Sequence, residues 1–215
     1  MAKGMGPLEL LGLVTRGVEN GTHEGQPVRI VKLGRTYETD RADLWDALTN
    51  RERIPRWFLP IEGELKEGGR YQFKGNAGGS ITACDKPRRL AVTWEAGGGI
   101  SWVEVTLKEA GAGRTALELR HLAPVEEVFW KKYGPGATGV GWEGGLLGLG
   151  LHVEGGQGPS PETAEAWALS EEGRAFNTRS SELWGEANIA YGTPPDEARA
   201  AAAETTAFYT GIPVA

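Results

Sequence analysis

The groups best equipped for chemistry in this 215-residue chain are three histidines, one cysteine and a glycine-rich run. His121 ends a strand-like row and His152 sits on a helix-like stretch, so the two could converge from opposite walls of one site. A histidine placed there could hold a ligand, shuttle a proton or sit hydrogen-bonded in the core. No HExxH pattern and no paired carboxylates accompany them, so a metal lacks its ligands and a general base lacks its partner. No metal and no cofactor is expected, and His121 is the candidate for acid or base work. Cys84 has no neighbouring histidine or helix start to lower its pKa, and it reads as a packed, inert thiol.

The run Gly134-x-Gly136-x-x-Gly139 matches the dinucleotide fingerprint as text. That fingerprint works only where a strand ends and a helix begins, so that backbone amides face a pyrophosphate. Here residues 128–133 read as helical and no βαβ unit surrounds them, which leaves a loop and a helix start. Beyond it Trp142, Leu146, Leu149 and Val153 fall at i, i+4, i+7 and i+11, on one face of a long helix. Gly141 with Gly145 and Gly144 with Gly148 have the spacing that pairs helices in lipid, but Glu143 between them argues for water. These glycines either bring the helix close to a sheet or leave room for a guest.

The elements that must position this helix follow from period and punctuation. Residues 10–19 and 27–38 read as a hairpin around the turn-rich stretch 20–25. In the second of these, Val28, Ile30 and Lys32 alternate with Arg29, Val31 and Leu33, so the pattern alone does not settle its inward face. Asp40 caps a short helix carrying Leu44, Trp45 and Leu48, and Pro55 opens another short piece with Trp57 and Phe58 that Pro60 stops. Five strands follow at 70–75, 80–84, 90–95, 100–108 and 114–121, separated by Gly, Asn, Asp and Pro, which implies an antiparallel meander. Leu90, Val92 and Trp94, then Val103, Val105 and Leu107, then Leu117, Leu119 and His121 share one side. One face is expected buried and the other wet. Ser160 with Pro161, Ser170, and the Thr193–Pro195 run start three later helices, the second with Phe176, Leu183, Trp184, Ala187 and Tyr191 on one face.

Composition narrows the function classes. A net charge of −6, with basic runs only at 86–89 and 131–132, gives phosphate backbones little to bind, so nucleic acid is not an expected partner. The single cysteine rules out an intrachain disulfide and fits a reducing cytoplasm. The first fourteen residues are too polar for a signal peptide, and no run reaches the roughly 18 apolar residues of a membrane span.

Several stretches together carry a family resemblance: RTYETDRADLWDALTN from Arg35, RIPRWFLP from Arg53, Gly68-Gly69-Arg70-Tyr71, SITACDKPRRLAVTW from Ser80, TALELRH from Thr115 and GVGWEGGLLGL from Gly139. Across about 28–152 the chain resembles the helix-grip fold of the START and birch-pollen-allergen superfamily, often labelled SRPBCC. More narrowly it resembles the branch related to activators of the heat-shock-protein ATPase. The resemblance implies an α+β fold, a curved antiparallel sheet wrapped around a long C-terminal helix, with a cavity between them for an apolar small molecule. It implies no shared catalytic residue.

The expected organisation is a helix-grip domain at 1–158 with its N-terminal hairpin, and a helical extension at 159–215 packed on that domain or on a partner subunit. The expected function is binding of a hydrophobic or lipid-like molecule without catalysis. Its walls are expected to include Trp45, Trp57, Phe58, Trp94, Val103, Val105, Leu119, His121, Trp142, Leu146 and Leu149, with two or three of the aromatics at the cavity and the others in the core. The alternatives are a cyclase- or hydrolase-like enzyme using His121, a cochaperone-like binding module, and a homodimer through the last helices.

Overall fold

A computed structural model describes residues 4–155, 159 and 162–214. The chain opens with a short helix α1 (Pro7–Leu11) and the hairpin β1 (Thr15–His23) and β2 (Gln26–Tyr37). The turn is tighter than the sequence suggests, because Glu24 and Gly25 both take positive φ, 50° and 81°. That is the backbone of a two-residue turn whose twist matches the strands, so residues 20–23 stay in the ladder. Leu10, expected in a strand, lies instead in α1 behind Pro7, which supplies the fixed φ of a first helical turn.

Helix α2 (Arg41–Thr49) is capped by Asp40, whose carboxylate accepts from the Asp43 amide at 2.9 Å. A single tight turn at Ile54–Arg56 follows, with Trp57 and Phe58 just past its end. The remaining strands are β3 (Ile61–Gly63), β4 (Arg70–Phe73), β5 (Gly78–Asp85), β6 (Arg89–Ala96), β7 (Gly99–Glu109) and β8 (Thr115–Pro124). They complete one antiparallel sheet in the order β1-β2-β8-β7-β6-β5-β4-β3. Three residues of β3 are too few to show a period, which is why pattern reading passes over it.

Helix α3 (Glu127–Tyr133) leads into α4 (Gly136–Glu154), the gripped helix, and α5 (Ala164–Ala168), α6 (Glu171–Tyr191) and α7 (Pro195–Thr210) follow. The expected caps Ser160 and Pro161 lie outside the described residues; α5 begins after Thr163. Ser170 caps α6 as its type predicts, accepting from the Gly173 amide, and Gly192 closes that helix in the left-handed region.

Period two sorts most of the sheet correctly: Val103, Val105, Leu107, Leu117 and Leu119 are buried with Val31 and Leu33 against α4. This settles the face that β2 left open. Val28 and Ile30 then point the other way, and the convex face is not uniformly wet: they bury with Trp102 and Leu122. His23 stacks on Trp102 at 4.1 Å. Trp102 and Leu122 face each other across β7 and β8, and Leu122 faces Ile30 across β8 and β2, so the side chains shield one another.

The sequence shows one apolar stripe on α4, yet two sides are buried. Leu146 and Leu149 face the sheet, while Leu147 packs with Leu10, Leu11 and Phe176. Its glycines divide by position. A Cβ at Gly139 would lie 2.1 Å from the Trp184 ring, so this glycine lets α6 approach. A Cβ at Gly144 would meet nothing within 4 Å.

The two positions should therefore respond oppositely to alanine. Gly139→Ala should lose about 2–3 kcal/mol to the forced clash, whereas Gly144→Ala should gain about 0.5–1 kcal/mol of helix propensity. Urea unfolding of both variants measures this, and a loss at Gly144 or none at Gly139 would refute the packing described.

Candidate functional site

Between α4, α2 and the inner face of the sheet lies a cavity of about 330 Å³. Each wall traces to a local cause. Helix α2 brings Trp45 and Leu48 inward, and the turn after it turns Trp57 over the groove, where its indole N–H donates to the Ala47 carbonyl at 2.9 Å. Strands β6, β7 and β8 supply Leu90, Val92, Trp94, Val103, Val105, Leu117 and Leu119 by alternation. Helix α4 supplies Trp142, Gly145, Leu146 and Leu149. A Cβ on Gly145 would approach only the Phe58 ring, at 3.8 Å, so this glycine leaves space rather than contact.

The aromatic rings form a continuous belt around this space. Trp57 stands 5.6 Å from Phe58, Phe58 is edge-on to Phe73 at 5.0 Å, Phe73 is 5.8 Å from Trp94, and Trp94 is 4.9 Å from Trp142. Such offset and edge contacts hold large rings in place without filling the middle. All the expected wall residues except His121 line the cavity, and five of the expected aromatics, Trp45, Trp57, Phe58, Trp94 and Trp142, border it rather than two or three. Ile54, Ile61, Tyr71, Phe73 and Ile81 also line it. Ile54 comes from the tight turn after α2 and the other four from the short β3–β5 end, where the alternation of Tyr71 and Phe73 in β4 is the only local pattern.

Polar groups gather at the rim: Thr49, Lys66, Cys84 and Lys86. Cys84 is exposed, not packed. The cause is a bulge in β5 between Ile81 and Ala83, which shifts the alternation so that Cys84 comes opposite Leu90, at the cavity edge where the strand runs out of cover.

The histidines do not converge. His152 accepts from the Arg53 Nε at 3.2 Å, and burial with Arg53 and Arg56 nearby lowers its pKa. His121 contacts Trp142, ten residues earlier on α4, which is about 15 Å along a helix. The Trp142 indole N–H donates to His121 Nδ1 at 2.9 Å. An indole only donates, so Nδ1 must be the bare nitrogen and Nε2 carries the proton. That proton faces Ser101 Oγ at 2.9 Å, and the serine hydroxyl in turn donates to the Trp94 carbonyl at 3.1 Å. Burial pushes the His121 pKa down to about 4. With both nitrogens engaged and the ring neutral, His121 has no lone pair left for base catalysis.

On the far side of α4, Glu143 is 1% exposed. It accepts from Arg16 Nε and from the Ser180 hydroxyl, each at 2.5 Å. Burial raises its pKa, while Arg16, Ser180 and the nearby Trp184 indole act the other way. Arg16 also donates to the carbonyls of Val14 and Leu11, so the group is closed on itself and faces no cavity. Among the described residues no three His, Cys, Asp or Glu side chains come together to hold a metal ion, and no helix is long and apolar enough to cross a membrane.

A curved antiparallel sheet gripping a long helix over an apolar cavity defines the SRPBCC class of protein. Within that class the family model described as activator of Hsp90 ATPase homolog 1-like protein matches residues 38–148, and the chain belongs to this family. It is similar to CalU16 from Micromonospora echinospora. The crystal structure of that protein is 30% identical over 82% of this chain and 98% of its own, with a TM-score of 0.67. Its solution structure is 31% identical over 90% of this chain and all 100% of its own, with a TM-score of 0.71. EF2215 from Enterococcus faecalis, 16% identical over 87% of this chain and 99% of its own, shares the fold at a TM-score of 0.57. No curated protein matches the chain.

The neutral, buried His121 fixes the sign of one pH effect. Its folded pKa lies below the ordinary histidine value of about 6.5, so the unfolded chain takes up a proton first as the solution is acidified. Its share of stability is complete above about pH 6.5 and declines toward pH 4, by at most about 3 kcal/mol. Urea unfolding at pH 7 and pH 4.5 should therefore show a steeper loss for the native chain than for His121→Gln. Equal losses would mean that the ring is protonated in the fold.

Proposed function

We propose that this protein binds a hydrophobic or lipid-like small molecule in the cavity between sheet and α4, without catalysing a reaction. The observation that carries this reading is an apolar, aromatic-belted space of about 330 Å³ whose polar groups stand at its rim. That size lies within the roughly 300–1,000 Å³ typical of small-molecule sites. The contacts fall to Trp45, Trp57, Phe58, Trp94, Val103, Val105, Leu119, Trp142, Leu146 and Leu149. The rim lysines Lys66 and Lys86 leave a polar end of the guest in water. Catalysis loses support because His121, the best-placed base, is held neutral with both nitrogens bonded. The single cysteine fits a reducing cytoplasm as the place of action.

A second reading, contact with a chaperone ATPase, draws support from an exposed apolar patch where α3 meets α7. Val128, Phe129 and Phe208 are 88%, 48% and 64% exposed, and the Tyr133 ring bridges the latter two at 5.1 and 5.8 Å. Pull-down of a heat-shock ATPase that is lost with Val128→Glu is the outcome expected of it; recovery unaffected by that charge removes the patch from consideration.

The cavity reading is tested by filling the space. Gly145→Leu has room for its side chain only inside the cavity. Native mass spectrometry with dodecanoate should show a one-to-one adduct for the native chain and at least tenfold weaker retention for this variant, with an unchanged or raised melting temperature. Equal retention by a well-folded variant would place the site elsewhere.

A further inference from the structure

The groove holds a second chamber of about 250 Å³ beyond the main cavity, at the end where α3 and the first turn of α4 cover β6, β7 and β8. Its walls include Ser101, His121, Phe129, Trp130 and Thr138. Trp94 lines both chambers, Trp142 faces the main one and His121 the second. These three rings stand together as the wall between them, with centroids 4.9, 5.9 and 6.4 Å apart.

The wall is tied by hydrogen bonds that run from one of its tryptophans to the other. Trp142 donates to His121, His121 faces Ser101, and Ser101 donates to the backbone of Trp94. Packing explains why a tryptophan in a filled core stays in place, since dozens of small contacts hold it. A wall of rings with open space on its two sides lacks many of those contacts, and directional bonds in a low-dielectric interior take their place. The neighbouring Gly145 keeps the main-chamber side clear.

We propose that Trp142, positioned by His121 and Ser101, is a partition that sets the length of apolar chain the main cavity accepts, and that its removal joins the two chambers into one. This inference rests on the cavity being the binding site. Linear saturated chains are the ligand class for which such a wall discriminates, because they differ in length alone.

Displacement of 1-anilinonaphthalene-8-sulfonate by saturated fatty acids of 8 to 18 carbons tests it on the full chain. Each added methylene tightens binding about fourfold while apolar room remains. For the native chain that gain should stop at an intermediate length. Trp142→Ala should carry it several carbons further, so that the longest acids bind the variant at least tenfold tighter than the native chain. Trp142→Leu is carried alongside in case the alanine variant does not fold. The same break in native chain and variant would overturn the proposal. If the native chain takes up no fatty acid, the ligand-binding reading fails, and xenon-pressurised crystals then decide the partition. Two separate xenon sites in the native chain that become one continuous track in the variant support it, and two separate sites in both overturn it.

Discussion

Burial of the Arg35 guanidinium against the backbone of α4 is the constraint on which the rest of this structure depends. The side chain is 1% exposed, and it donates to the Leu146 carbonyl at 2.9 Å and to the Glu154 carboxylate at 2.7 Å. The Tyr37 hydroxyl reaches the same carbonyl at 3.2 Å, and the guanidinium lies 4.5 Å over the Tyr37 ring. A Cβ at Gly150 would sit 2.4 Å from this guanidinium, so the contact exists only because α4 carries glycine there. A buried ion pair is weak evidence of net stability, because desolvation offsets much of the attraction. What it does supply here is position: one turn of α4 is pinned over one point of β2. Leu146 and Leu149 then face the sheet.

A second buried pair holds the opposite side of the same helix. Glu143 binds Arg16 from β1 and Ser180 from α6, and the Trp184 ring packs flat against Gly139 one turn away. The helix is thus clamped between sheet and α6 by charged groups that tolerate little displacement once out of water. A space lined by leucines and tryptophans would otherwise shrink, since collapse recovers lost contacts. Held at both sides, α4 keeps its distance from the sheet and the volume between them persists. The aromatic belt from Trp57 to Trp142 serves the same end by bracing ring against ring.

Much of this was legible in the sequence, for reasons that also explain the gaps. Alternation placed Val103, Val105, Leu117 and Leu119 on the inner face because antiparallel strands with one wet side enforce period two. Asp40 and Ser170 announced their helices because capping is local chemistry. Pattern could not reveal the bulge that turns Cys84 to the rim, since one extra residue reverses parity without changing composition. The alliance of Arg16 with Glu143 joins residues 127 positions apart and has no local signature. His121 was rightly placed on an inward row, yet its role turned on which atoms met it. An indole donor on α4 and a serine on the adjacent strand engage both of its ring nitrogens. The burial of Val28 and Ile30 on the convex face has no local signature for a related reason, as their partners Trp102 and Leu122 come from strands distant in sequence.

The central claim, that the space between sheet and α4 receives an apolar guest, is tested most directly by methyl-resolved NMR during a titration with dodecanoate. The predicted result is saturable shifts at the methyl groups of Val103, Val105, Leu119, Leu146 and Leu149, with Val128 on the outer patch unmoved. Shifts at Val128 with the cavity methyls silent would contradict it.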